Sequence, residues 1–157
     1  MPGEDSEFYY VDGKKVKLNR LPDSFAVRYK ENVSARKMAL KLFDQPALDN
    51  AEERKELPRS RLVIVTLPQS RKLSDVRSSI DSLESDEDVE FVVPVFREPK
   101  SGLRLIATDE ITVRFKNGAA PEAIERFNRE NNAEIIAKNR FVPTQFTLRI
   151  KNDAICR

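Results

Sequence analysis

The chain has 157 residues, enough for one average domain or two small ones. Its 28 Lys and Arg are interspersed with 26 Asp and Glu, so a net charge of +2 supplies no general attraction to nucleic acid or to an anionic membrane. The lack of His removes Ser-His-Asp and Cys-His nucleophilic machinery and the commonest metal ligand, and the single thiol, Cys156, makes neither an internal disulfide nor a zinc site.

The first residues, MPGEDS, are predicted to be a disordered start. They are acidic and carry no apolar core of signal-peptide length, and no run approaches a membrane span, so a chain made without an export signal is expected and its compartment stays open. EFYYVDGKKVKL (7–18) predicts a hairpin, because Asp12-Gly13 suits the positive φ of a tight turn between two alternating runs. RLPDS (20–24) is read as a connector.

Phe25, Val27 and Tyr29 alternate with Ala26, Arg28 and Lys30, the pattern of a half-buried strand. Ser34 is placed to cap a helix whose apolar stripe is Ala35, Met38, Ala39, Leu42 and Phe43. Residues 44–60 are polar and contain two prolines, and are read as a loop with a short helical piece near residues 51–57. RLVIVTLP (61–68) is a continuous apolar strand. Leu73, Val76, Ile80 and Leu83 recur at helical spacing, with Ser74 as cap and Asp75 in the first turn, where the helix dipole favours an anion. SDED (85–88) is an acidic turn, VEFVVPVF (89–96) a strand that Pro94 marks as an edge or an end, and REPKSG (97–102) a linker.

LRLIATDEITVRF (103–115) opens a second unit. Asn117-Gly118 turns the chain, Pro121 fits the first turn of a helix, and Ala120, Ala123, Ile124 and Phe127 form its stripe. AEIIAKN (133–139) and QFTLRI (145–150) are predicted antiparallel strands, and KNDAICR (151–157) the opening of a further helix capped by Asn152 or Asp153.

FAVRYKENVS (25–34) and ITVRFKNGAA (111–120) spell nearly the same strand, turn and helix start, with Arg28 and Arg114 in equivalent places. The expected fold is therefore α+β: two tandem ferredoxin-like (split β-α-β) units, each an antiparallel sheet with its helices on one face. Residues 1–19 would be tail and hairpin, 20–98 the first unit, and 103–157 a second, truncated unit that stops before its last strand. In the first unit the polar loop is expected to replace the second strand.

Both faces of the first unit's strands are apolar. Leu62, Ile64 and Thr66 oppose Val63, Val65 and Leu67, and Phe91, Val93 and Val95 oppose Val92, Pro94 and Phe96. A two-layer fold covers only one face, and at ~25 cal/mol per Å2 several exposed side chains of this kind forgo several kcal/mol. A cover is therefore expected: the other repeat, the N-terminal hairpin, or a separate protein. The candidate contact face is Arg28, Val63, Val65, Leu67, Val92, Phe96 and Arg114.

Catalytic motifs are weak. Asp109 and Glu110 would point to opposite faces of a strand and are read as a solvated turn. Glu87, Asp88 and Glu90 lack the glycine-punctuated loop of a hard-cation site and are read as a solvated acidic turn. Four glycines make no phosphate loop, and acidic neighbours of Phe8, Tyr9 and Tyr10 would repel phosphates. No catalytic residue, cofactor or metal ligand is expected, and Cys156 is read as incidental.

The phrases EFYYVDGKKVKL, VEFVVPVFRE, TDEITVRFKNGAAPEAIERFN and AEIIAKNRFVPTQFTLRI together resemble the N-terminal propeptides of subtilisin-like serine proteases, of the fervidolysin-like type. The resemblance spans roughly residues 7–152, and its most specific part runs from Val113 to Phe127. It implies a ferredoxin-like prodomain that packs its open sheet face on a protease domain in cis or in trans. Such a prodomain acts as an intramolecular chaperone and inhibits through a C-terminal tail. The catalytic domain itself, with its Asp, His and Ser, is not part of this chain. The expected partner is a subtilisin-like protease domain, with no nucleic acid and no membrane. The alternative is a stand-alone interaction or regulatory module, in which a homodimer supplies the missing strand.

Overall fold

The structure is a computed structural model that describes residues 7–11, 13–70 and 72–151. It is mixed α+β, with antiparallel sheets throughout, and divides into two compact units, 1–107 and 108–157. Among the described residues no helix is long and apolar enough to cross a membrane.

The hairpin forms as expected from β1 (Phe8–Val11) and β2 (Lys14–Lys17), with Tyr9 opposite Val16. Gly13 takes φ +75° in its turn, a conformation that costs glycine little. Asp12, the expected disordered start and the residues expected to open a C-terminal helix, Cys156 among them, lie outside the described residues.

The first unit is built on a five-stranded sheet ordered β4-β5-β3-β6-β7. Its strands are β3 (Asn19–Tyr29), β4 (Glu53–Leu57), β5 (Leu62–Thr66), β6 (Val89–Arg97) and β7 (Arg104–Ile106). Helix α1 (Ala35–Phe43) starts at Ser34, whose hydroxyl accepts from the Lys37 N–H at 3.1 Å. Helix α2 (Leu73–Glu84) takes Lys72 rather than Ser74 as its N-terminal flanking residue, and keeps Asp75 in its first turn.

Three expectations are corrected. Residues 53–57 are an edge strand, not a helical piece, so the second strand of this unit is present after all. Its sequence, ERKEL, hides it, because an edge strand needs only one apolar side chain and carries charge at little cost. The connector 20–24 is part of β3, where the pairing with β6 jumps from Arg20↔Phe96 to Phe25↔Pro94. Pro94 pairs with Phe25 on one side, and on the other β7 reaches only Val95–Arg97, so β6 is a sheet edge at the residue that lacks an N–H. Finally, the linker 97–102 does not separate the two units. Residues 104–106 pair with β6, so the division between units falls after Ala107 rather than at 97–102.

Register assigns the faces. Phe25 and Val27 pair with Val65 and Val63 on one side of β3 and with Pro94 and Val92 on the other. Phe25, Val27, Val63, Val65 and Val92 pack with Met38 and Leu42 of α1 and with Val76 and Leu83 of α2 in one core. On the opposite face Ala26 lies between Ile64 and Val93, and all three are buried, as is Val95.

The sheet itself covers that opposite face. Its edge strands β4 and β7 would stand about 19 Å apart if it were flat. Instead Arg104 Nη2 of β7 donates to Glu53 Oε1 of β4 at 2.9 Å, so the sheet curls until its edges meet. Glu53 also accepts from the Thr66 hydroxyl at 3.2 Å, and Thr66 lies 3.2 Å from the Ser24 hydroxyl.

The second unit is a three-stranded sheet ordered β8-β10-β9, from β8 (Glu110–Arg114), β9 (Ala133–Lys138) and β10 (Gln145–Ile150), with α3 (Pro121–Glu130) between β8 and β9. Phe115 meets Phe127 of α3 and Phe146 of β10 edge-on at 5.4 and 5.8 Å, which fixes the helix over the face carrying Val113, Phe146 and Leu148. Leu148 is fully buried, and it is the one buried apolar side chain described in this unit.

Candidate functional site

Of the seven residues expected to form one contact face, the six in the first unit do not share a surface. Val63, Val65, Leu67 and Val92 lie under α1 and α2 in the core of the first unit. Phe96 is buried, at 6% exposure, beyond the β3 irregularity. Arg28 is on the other face of the sheet, opposite Leu62 and Phe91, at 4% exposure. Its guanidinium lies 3.5 Å from Glu90 and 5.5 Å from the Phe91 ring. Arg114 belongs to the second unit and is exposed. As a docking face the set is thus corrected. Both apolar faces of the first sheet are sealed from within, one by the helices and one by the curl.

Buried charges are matched. Lys37 and Lys41 of α1 reach over the α2–β6 turn, where Lys37 lies 2.9 Å from Asp88 and Lys41 lies 2.5 Å from Asp86 and 2.7 Å from Asp88. Hydrogen bonds from Lys41 and then Lys37 hold the Asp88 carboxyl below its ordinary pKa, and Asp86 and Asp88 raise that of Lys41. The acidic turn is therefore clamped by lysines rather than solvated. Glu90 is taken by Arg61 at 3.0 Å, so Asp88 and Glu90 serve different cations. Glu53 is lowered by its hydrogen bond to Arg104, whose own pKa is raised by the same contact.

In the second unit Arg149, on the helix-free face, collects Asp109 at 3.4 Å, Glu110 at 3.3 Å and Glu134 at 4.0 Å. Burial disfavours its charge, but hydrogen bonding to Glu110 and the nearby carboxylates outweigh that and raise its pKa. Asp109 and Glu110 thus converge on one arginine instead of forming a solvated turn. Sequence reasoning missed Arg149, and no local signal could reveal it, since its partners lie on other strands and a loop.

An open hollow of about 310 Å3 lies between the β3 irregularity and the start of α2, lined by Leu21, Pro22, Asp23, Pro68, Gln69, Leu73 and Val76. One carboxylate among apolar walls supplies no acid–base pair. Among the described residues, no group of three His, Cys, Asp or Glu is placed to hold a metal ion.

No protein-family model, no curated protein and no solved structure matches the chain.

Proposed function

We propose that the chain is a non-catalytic, propeptide-like module of a subtilisin-like serine protease, acting as folding chaperone or inhibitor by surface burial. Connectivity supports the finer fold reading. In the first unit the path β3-α1-β4-β5-α2-β6 with the order β4-β5-β3-β6 is compatible with a ferredoxin-like split β-α-β sheet to which β7 is added. The path β8-α3-β9-β10 with the order β8-β10-β9 corresponds to its first three strands and first helix. The near-identical phrases then fall on equivalent strands, β3 and β8.

The observation that carries binding is the open face of the second unit. Its sheet bears a helix on one side only, and the other side presents Thr112, Arg114, Thr147 and Arg149 without the curl that closes the first sheet. Docking on a protease is therefore assigned to this face and not to the first unit. The mechanism is burial of a preformed sheet surface, which needs no bond-making residue.

The test is to add the purified chain to refolding and to active subtilisin. A higher refolding yield and slower peptide hydrolysis at micromolar chain are expected, and Thr147→Lys, at the centre of the open face, should weaken both about tenfold. Unchanged yield and unchanged hydrolysis with the native chain defeat the reading. The second reading, a stand-alone dimeric interaction module, draws on the outer edge of β8, which carries no partner strand among the described residues.

A further inference from the structure

We infer that two copies of this chain pair through the outer edges of their β8 strands, antiparallel about a two-fold axis at Thr112, into one six-stranded sheet. The inference deepens the self-association reading and rests on it, not on the protease reading.

The backbone determines which groups face outward. Phe115 N–H donates to the Thr144 carbonyl at 2.9 Å, and Ile150 N–H donates to the Asp109 carbonyl at 2.7 Å. In an antiparallel ladder such pairs alternate, so Ile111 and Val113 turn their backbone groups to β10 while Glu110, Thr112 and Arg114 turn theirs outward. Thr112 and Arg114 are exposed.

The strand is complementary to itself. With the dyad at Thr112, Thr112 faces its own copy, Glu110 faces Arg114, and Ile111 faces Val113. Outward groups therefore meet outward groups, and each of these residues donates one hydrogen bond across the axis and accepts one. Opposite charges pair on the helix-free face. On the helix face the Ile–Val pair occupies the close, non-hydrogen-bonded position and covers Ile111, which is 41% exposed. Only this register pairs every residue of β8 and sets each charge against its counter-charge.

Apart from the charges of Glu110 and Arg114, the edge carries little of the usual protection. β8 holds no Pro, no Lys and no bulge, whereas β9, the other edge, carries a register shift and the exposed Lys138. At Glu110 the outward N–H and carbonyl rest on the Thr108 hydroxyl at 3.3 and 3.4 Å, long contacts that a pairing strand displaces. The second unit is small and nearly coreless, the situation in which association supplies the missing burial.

Light scattering of the native chain over a concentration series should show the mass rising from 18.0 kDa to twice that value. Thr112→Pro removes the outward N–H at the dyad and leaves the bonds to β10 intact, so it should stay monomeric at every concentration. Arg114→Glu alone and Glu110→Arg alone each set like charges in register and should weaken the dimer about tenfold. Mixed one to one, these two variants restore both ion pairs and should recover a heterodimer, a result that holds the test if Thr112→Pro fails to fold. A native chain at 18.0 kDa up to millimolar concentration overturns the inference, as does a dimer indifferent to these variants. Neither measurement contains a protease, so failure of the dimer and failure of the protease reading are separable.

Discussion

Asp88 shows how a residue's role depends on partners far along the chain. Its carboxylate sits between two lysines of α1, roughly half a unit away in sequence, and its pKa is lowered by them. A carboxyl with a depressed folded pKa contributes stability above its unfolded value of about 3.9 and loses it as pH falls through the folded value. Lys41 is the converse case. Its raised folded pKa gives a contribution that is complete below about 10.4 and lost as pH rises through the higher folded value. Asp88→Asn should therefore lower stability at neutral pH and flatten the acid limb below about pH 4, read by urea unfolding along a pH series. An acid limb identical to that of the native chain would show that the clamp does not act. The acidic turn was legible in the sequence. Its neutralisation was not, because SDED says nothing about which helix lies over it.

At the scale of elements, β5 and β6 explain why apolar side chains alternate on no face. Both strands lie between two cores, with the helices on one side and the closed curve of the sheet on the other. The need for a cover was evident from the sequence, whereas the choice among covers was not. Two of the three deciding pieces are short strands, the charge-rich β4 and the three-residue β7, and the third is the Glu53–Arg104 pair that joins them. Ile64→Ala, which opens a cavity on the curled side, should cost about 2–5 kcal/mol in chemical denaturation. Glu53→Gln should cost far less, at most about 1 kcal/mol, since both partners are a third exposed and water screens the pair. An Ile64→Ala loss below that of Glu53→Gln would mean that the inner face is loosely packed.

For the whole molecule, the two units differ in how much apolar surface they enclose. The core around Phe25, Met38, Val65 and Leu83 belongs entirely to the first unit, while the second encloses Leu148. Residues 1–107 expressed alone should unfold in one cooperative transition by circular dichroism, because their core is internal. Residues 108–157 alone should be marginal, as expected of about 50 residues with little burial. A separate second unit as stable as the first would remove the energetic motive for its association.

Local elements follow from neighbouring residues alone. Alternation marked the end of β3, the three-four spacing marked all three helices, and Ser34, Pro121 and Gly13 marked starts and turns, because those signals arise from a residue and its neighbours within one or two turns of chain. Tertiary structure alone decided which sheet face lies beneath the helices, that the first sheet closes on itself, and that Arg149 gathers three carboxylates. Each depends on partners brought together by strand order and register, and a one-residue change of register exchanges the two faces without altering any local pattern.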